Sequence, residues 1–243
     1  MSFGIESANI VGYDSFDLRG NSLAVGVGAS FANVSGEKVK LGDLKVVGYG
    51  AEGYADGMIY AKKLDGFGIG GTGYYWFDIS DEEIGELYGW YDDEGGVCYN
   101  DVELGLGEGL WLYSPSESLK LQSAGQVPSM NVAVALRGNS LAKMVSNPMP
   151  VTLTLGDIAV TGYGTEGYAD GMIYAKKLDG FGIGGTGYYW FDINDEEIGE
   201  LYGWYDDEGG VEYNSVEVKA GEGLWIYSPS DALSVFFPSP LAK

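Results

Sequence analysis

The stretch Asp65-Gly-Phe-Gly-Ile-Gly-Gly-Thr-Gly-Tyr-Tyr-Trp76 (DGFGIGGTGYYW) recurs letter for letter at Asp179–Trp190. Its Gly66-x-Gly68-x-x-Gly71 has the form of a phosphate-cradling loop. Such a loop must follow a strand and open a helix, so that a pyrophosphate meets the helix N-terminus. Here the chain continues as Thr-Gly-Tyr-Tyr-Trp-Phe-Asp-Ile79, an aromatic strand pattern, and no Gly-Lys-Ser/Thr ending follows. The stretch therefore reads as a glycine turn or bulge feeding an aromatic strand.

The repeat extends well beyond these twelve residues. Gly48–Cys98 aligns with Gly162–Glu212 at a constant offset of 114, with three differences in 51 positions: Ala51/Thr165, Ser80/Asn194 and Cys98/Glu212. Upstream, Arg19-Gly-Asn-Ser-Leu-Ala24 matches Arg137-Gly-Asn-Ser-Leu-Ala142 at an offset of 118. Downstream, Gly107-Glu-Gly-Leu-Trp-Leu-Tyr-Ser-Pro115 matches Gly221-Glu-Gly-Leu-Trp-Ile-Tyr-Ser-Pro229. One unit thus runs over residues 7–122 and the next over 123–238, each of ordinary domain size and far longer than a solenoid repeat.

Within a unit the reading is nearly all strand: Asn9–Phe16, Leu23–Val27, Leu44–Tyr49, Met58–Leu64, Gly73–Ile79, Leu87–Tyr91, Val102–Leu104 and Leu110–Tyr113. Glycine supports this. The chain has 41 glycines in 243 residues, against an ordinary usage of roughly 7%, which suits tight turns and weakens helix interiors. Ser80-Asp-Glu-Glu83 and Asn194-Asp-Glu-Glu197 have the form of a capping box, but glycines follow at once, so a single helical turn at most is expected. The fold class is all-β: two similar β-sandwich or β-barrel units related by an internal duplication.

Charge and missing residue types narrow the functions. Thirty-six acidic against 13 basic residues give a net charge of −23, which repels nucleic acids and anionic membrane surfaces. Histidine is absent, so the usual proton shuttle and the commonest metal ligand are missing and most hydrolase and zinc-enzyme readings fall away. Cys98 has no partner for an internal disulfide, and its counterpart is Glu212. A nucleophile confined to one repeat argues against cysteine catalysis. No apolar run is long enough to span a bilayer, and Met1–Ile10 lacks a basic segment followed by an apolar one. An enzyme is not expected.

Two constellations remain as candidate sites. All six tryptophans fall at equivalent positions, Trp76/Trp190, Trp90/Trp204 and Trp111/Trp225. Alternation puts Tyr74, Trp76 and Asp78 on one face and Tyr75, Phe77 and Ile79 on the other. The second set looks like a core face. The first then presents an aromatic platform for a neutral glycan, built from Tyr74, Trp76, Trp90 and Tyr91 with Tyr188, Trp190, Trp204 and Tyr205. The alternative is that these rings fill a small β core, with each N–H or O–H tied to a carbonyl. Trp111, in an apolar strand, is core on either reading.

The other constellation is acidic. Asp81-Glu82-Glu83 with Asp92-Asp93, and Asp195-Glu196-Glu197 with Asp206-Asp207, offer hard oxygens to Ca²⁺. Neither follows the spacing of a calcium-binding loop, and solvated turns are the plainer reading. No cofactor is otherwise expected.

Ser7-Ala-Asn-Ile-Val-Gly-Tyr13, Leu41-Gly-Asp43, Gly89-Trp-Tyr-Asp92 and Gly107-x-Gly109-x-Trp111 with Tyr-Ser-Pro occur in that order. Together they resemble a group of exported bacterial proteins in which such a β-rich unit occurs singly or in tandem. The second copy departs from the opening motif, carrying Ser123-Ala-Gly-Gln-Val127 there. The resemblance implies a place in the cell envelope or outside the cell, with no established activity. The functional expectation is a secreted or cell-surface structural or adhesive protein whose partners are copies of itself, cell-surface components or glycans. A carbohydrate-binding module and a calcium-stabilised envelope domain are the alternatives.

Overall fold

The computed structural model describes residues 11–18, 23–28, 38–49, 59–63, 71–83, 85–115, 118–138, 141–163, 173–177, 185–196 and 199–242. The glycine turn expected over residues 65–70 lies outside these. From Gly73 the chain is a strand, with no helix behind the glycines.

The protein is all-β. The first half carries β1 (Val11–Asp17), β2 (Leu23–Gly28), β3 (Val39–Lys40), β4 (Lys45–Val47), β5 (Tyr60–Lys62), β6 (Gly73–Asp81), β7 (Gly85–Tyr91), β8 (Glu103–Leu104), β9 (Gly109–Ser114) and β10 (Lys120–Gln126). The second carries β11 (Val132–Ala135), β12 (Leu141–Ser146), β13 (Leu153–Thr154), β14 (Ala159–Thr161), β15 (Tyr174–Lys176), β16 (Gly187–Asp195), β17 (Gly199–Tyr205), β18 (Glu217–Val218), β19 (Gly223–Ser228) and β20 (Ser234–Phe237).

Among the described residues three sheets form in each half, with matching orders: β1-β10-β4 and β11-β20-β14, β2-β9-β5-β6-β7 and β12-β19-β15-β16-β17, β3-β8 and β13-β18. Their pairings are antiparallel. Strand β10 straddles the 122/123 boundary suggested by the repeat, and it pairs along its whole length with β1.

Two elements differ from the sequence reading. The capping-box segment at Ser80–Glu83 is strand through Asp81 followed by a turn, because β6 keeps pairing with β7 as far as Asp81↔Gly85. Among the described residues, single turns of 3₁₀ helix lie instead at Leu41–Asp43 and Leu155–Asp157. There the Asp43 carboxylate accepts the Lys40 backbone N–H at 2.9 Å, and Asp157 accepts that of Thr154 at 2.8 Å. Each aspartate thereby satisfies a donor that the short turn cannot.

Strand β9 is the spine of the first half. Its Leu110 and Leu112 point into a cluster with Val46 and Leu121 of the three-stranded sheet and Trp76 and Trp90 of the aromatic hairpin. Trp111, on the other face, joins Ala142, Met144 and Trp225 in a separate cluster between the halves. Strand β19 does the same with Leu224 and Ile226 inward and Trp225 outward. Burial on both faces explains why these strands read as unbroken apolar runs.

The contact between halves has an approximate two-fold symmetry. Val27 bridges to Glu222 and Glu108 bridges to Val145, and these are equivalent residues exchanged. Likewise the Gly28 N–H donates to the Gly221 carbonyl at 3.0 Å and that of Ser146 to the Gly107 carbonyl at 2.8 Å. Glycine permits the approach. A Cβ on Gly223 would sit 2.6 to 2.9 Å from the backbone of Gly26, and one on Gly26 would sit 2.8 Å from the Met144 sulfur.

The outer edge of the hairpin is closed by its own chain. Asn100 accepts the Trp90 backbone N–H at 2.8 Å and donates to the Tyr88 carbonyl at 3.1 Å, while the Tyr99 N–H donates to the Trp90 carbonyl at 2.7 Å. Gly89, at φ +118°, leaves room for the Asn100 amide where a side chain would collide. This part of β7 is thus withheld from edge-to-edge pairing with another chain.

Candidate functional site

The aromatic hairpin is built by register. Pairing of β6 with β7 sets Trp76 opposite Trp90, and their rings meet edge to face at 5.3 Å. In the second half Trp190 and Trp204 do so at 5.4 Å. The Trp90 Nε1–H donates to the Leu44 carbonyl at 2.7 Å and that of Trp204 to the Ile158 carbonyl at 2.7 Å. The Trp76 Nε1–H donates to the Tyr49 hydroxyl at 3.3 Å, which in turn donates to the Asp78 carboxylate at 2.7 Å. Trp190, Tyr163 and Asp192 repeat that chain at the same distances.

This arrangement overturns the expected open face, while the other face is also covered in part, with Phe77 and Phe191 buried and Tyr75 and Ile79 half-buried. Tyr74, Trp76 and Trp90, with Tyr188, Trp190 and Trp204, are buried in the two cores, so they do not form an open platform for a sugar ring. The physical reason is that each indole N–H finds a fixed acceptor, which removes the main cost of burying it. Tyr91 and Tyr205 lie on the opposite face, half-buried against Phe77 and Phe191 at 6.0 and 5.9 Å. The exposed aromatics among the described residues are Tyr88 and Tyr202, at 46% and 55%. They sit where the core face runs out into solvent, a margin that alternation alone does not locate.

Burial of Trp76, Trp90, Trp190 and Trp204 predicts a blue-shifted tryptophan emission that iodide does not quench and neutral glycans do not shift. Emission near that of free tryptophan, or protection by a glycan, would contradict the packing described.

The Tyr49 and Tyr163 phenols have their pKa raised, first by burial and then by hydrogen bonding to Asp78 and Asp192. In the unfolded chain a tyrosine loses its proton near pH 10, while in the folded chain these two still hold theirs. Stability is therefore fully present below about pH 10 and is lost as pH rises above it. The melting temperature should fall more steeply above that pH in the natural chain than in a Tyr49→Phe, Tyr163→Phe double variant.

The acidic turns serve the backbone. Asp92 accepts the Gly96 N–H at 2.7 Å, and Asp206 that of Gly210 at 2.7 Å, the local pattern that makes aspartate a turn residue. Glu82, Glu83, Asp93, Glu196 and Asp207 are exposed. The side chains of Asp81 and Asp195, and all of Glu197, lie outside the described residues. Among the described residues no group of three acidic or sulfur side chains comes together as a ligand set, so the two acidic turns of a unit do not converge there. Cys98 is exposed beside Tyr91, to which its backbone bridges.

A feature that no local pattern announces lies where the halves meet. A cavity of about 360 Å³ is walled by Lys63, Tyr74 and Glu108 from the first half and by Arg137, Lys143 and Met144 from the second. Lys63 pairs with Glu108 at 3.2 Å. Lys143 donates to the Ala135 carbonyl at 3.0 Å, and burial first, then the neighbouring cations, lower its pKa against the pull of Glu108.

Among the described residues no helix is long and apolar enough to cross a membrane. Compared with family models, with curated proteins and with solved structures, the chain matches none.

Proposed function

We propose that the protein is a non-enzymatic structural or adhesive component of the cell surface or exterior, made of two β-sandwich units that arose by internal duplication. The observation that carries this reading is where the duplicated residues are spent. The near-identical aromatic hairpins go into two cores with satisfied indole donors, not into an open cleft lined by reactive groups. The absence of histidine from the sequence and the resemblance to exported tandem β proteins point the same way.

On this reading the function is carried by the outer surface, which is strongly acidic and includes the near-identical stretches 48–98 and 162–212. Weak contacts made twice to a repeated partner gain from effective concentration. The partners are further copies or other cell-surface components. Part of the hairpin edge is closed by Asn100, so contacts through side chains such as Tyr88 and Tyr202 are favoured over strand addition there.

The test is location. Antibody raised to the purified chain should label intact cells of the source organism or detect the protein in the medium. Labelling only after the cells are lysed would overturn the proposal.

A further inference from the structure

The two halves hold the same hairpin residues around Tyr88 and Tyr202 and differ in what lies over those rings. In each half the exposed ring stands directly across the hairpin from an aspartate, Asp78↔Tyr88 and Asp192↔Tyr202. Opposite residues of an antiparallel pair share a face. Two positions further out on that face come the exposed Glu86 and Glu200. Each ring also meets a tryptophan edge to face, Trp76 at 5.4 Å and Trp190 at 5.3 Å.

In the first half the Lys45 ammonium lies over the Tyr88 ring, 5.9 Å from its centroid, within reach of a cation–π contact. The second half has Ala159 at that position. Geometry, and not the offset of 114 alone, makes the two positions equivalent. Trp90 donates to the carbonyl of Leu44 and Trp204 to that of Ile158, the residues immediately before them. Tyr202 is accordingly the more exposed ring, at 55% against 46%. The second half thus has the ring and the carboxylates without the lysine that the first half lays across them.

We propose that the Tyr202 surface receives a lysine side chain from a basic partner protein, in the place that Lys45 takes over Tyr88. The π face of Tyr202 and the Asp192 carboxylate both attract an ammonium. Asp192 accepts the Tyr163 hydroxyl at 2.7 Å with Oδ2, and a carboxylate has acceptor capacity beyond one such bond. Lysine carries its charge at the end of a flexible stem, which suits reaching across a ring. The surrounding stretch 162–212 has twelve acidic and two basic residues. Its field draws in a basic surface and repels a second copy of a chain whose net charge is −23. The inference rests on the reading that the outer surface makes the protein's contacts, and not on where it makes them, so antibody labelling and the binding below can fail separately.

The test is nuclear magnetic resonance of the full chain with ring-labelled tyrosine, Tyr88 and Tyr202 being assigned through their phenylalanine variants. The probe is an end-blocked Lys-Gly-Lys peptide at low ionic strength. The same peptide with both side-chain amines acetylated, at matched salt, is the control. The Tyr202 ring signals should shift and saturate with the charged peptide and stay in place with the acetylated one. Tyr88 should need about two- to fivefold more peptide, the scale of an exposed cation–π contact, because Lys45 competes for its ring. Lys45→Ala should bring Tyr88 level with Tyr202, and Ala159→Lys should bring Tyr202 level with Tyr88. A Tyr202 signal indifferent to the charged peptide, or moved equally by the acetylated one, would overturn the proposal, as would two rings that respond alike in the natural chain. A response to phosphatidylcholine vesicles without one to the peptide would overturn it too, since the occupant would then be a lipid headgroup. Should Ala159→Lys fail to fold, Lys45→Ala carries the same comparison alone.

Discussion

Trp90→Ala is expected to destabilise the first half by about 3 to 5 kcal/mol, the usual cost of emptying a large aromatic site. Trp90 is fully buried, meets Trp76 edge to face at 5.3 Å and donates to the Leu44 carbonyl at 2.7 Å. Removing it opens a void and leaves a buried carbonyl without its donor. The loss is a large part of the roughly 5 to 15 kcal/mol that holds an ordinary domain together. Because Trp204 sits in its own cluster with its own acceptor, Ile158, the second half should keep its packing. Urea unfolding followed by near-ultraviolet circular dichroism should therefore change from one transition toward two, the first at much lower denaturant. Trp90→Phe, which keeps a ring and loses the N–H, should fall between, near the roughly 1 to 3 kcal/mol of an orphaned polar group. An unchanged midpoint in Trp90→Ala would contradict the packing described.

Gly223→Val should damage a different part of the molecule. A Cβ at that position meets the Gly26 carbonyl carbon at 2.6 Å, its Cα at 2.7 Å and its oxygen at 2.9 Å. Backbone on both sides cannot swing away as a side chain does. The strands must separate, at a cost of about 1 to 3 kcal/mol for overpacking. Neither unit's own core is touched, so the signature lies at the contact between them. Trp111 and Trp225, which pack there with Met144, should become accessible to iodide while the other four tryptophans stay protected. Cleavage between Val127 and Val132, where β10 gives way to β11, should accelerate. Quenching spread evenly over all six would mean that the halves do not unfold apart.

Strands are far more legible in this sequence than the faces they present. Every first-half strand expected from alternation has an observed counterpart within a few residues, since tyrosine, tryptophan and glycine punctuate them clearly. Strand β10 escapes that reading. Its Lys-Leu-Gln-Ser-Ala-Gly-Gln carries one large apolar residue and is held by pairing with β1 and β4, partners distant in sequence. The Tyr74/Trp76 face reads as the open one because it ends in Asp78. In fact Asp78 is drawn inward as the acceptor for Tyr49, 29 residues away, and no local pattern contains that bond. The basic cavity is invisible in the sequence for a similar reason. Lys63, just past β5, and Lys143, in β12, are ordinary surface-type residues until the two halves are set against each other.

The glycine-lined contact between the halves also favours one way of pairing them. Gly26 and Met144 are equivalent positions in the two copies, yet one has no side chain and the other a long one whose sulfur fills the space the glycine leaves. Two first halves joined in the same way would bring glycine to glycine and leave a hollow. Two second halves would bring methionine to methionine and collide. Halves this alike could otherwise exchange partners freely between molecules. Unequal pairs at this contact, Gly26 with Met144 and Gly28 with Ser146, make the joining of a first half to a second half the well-filled arrangement.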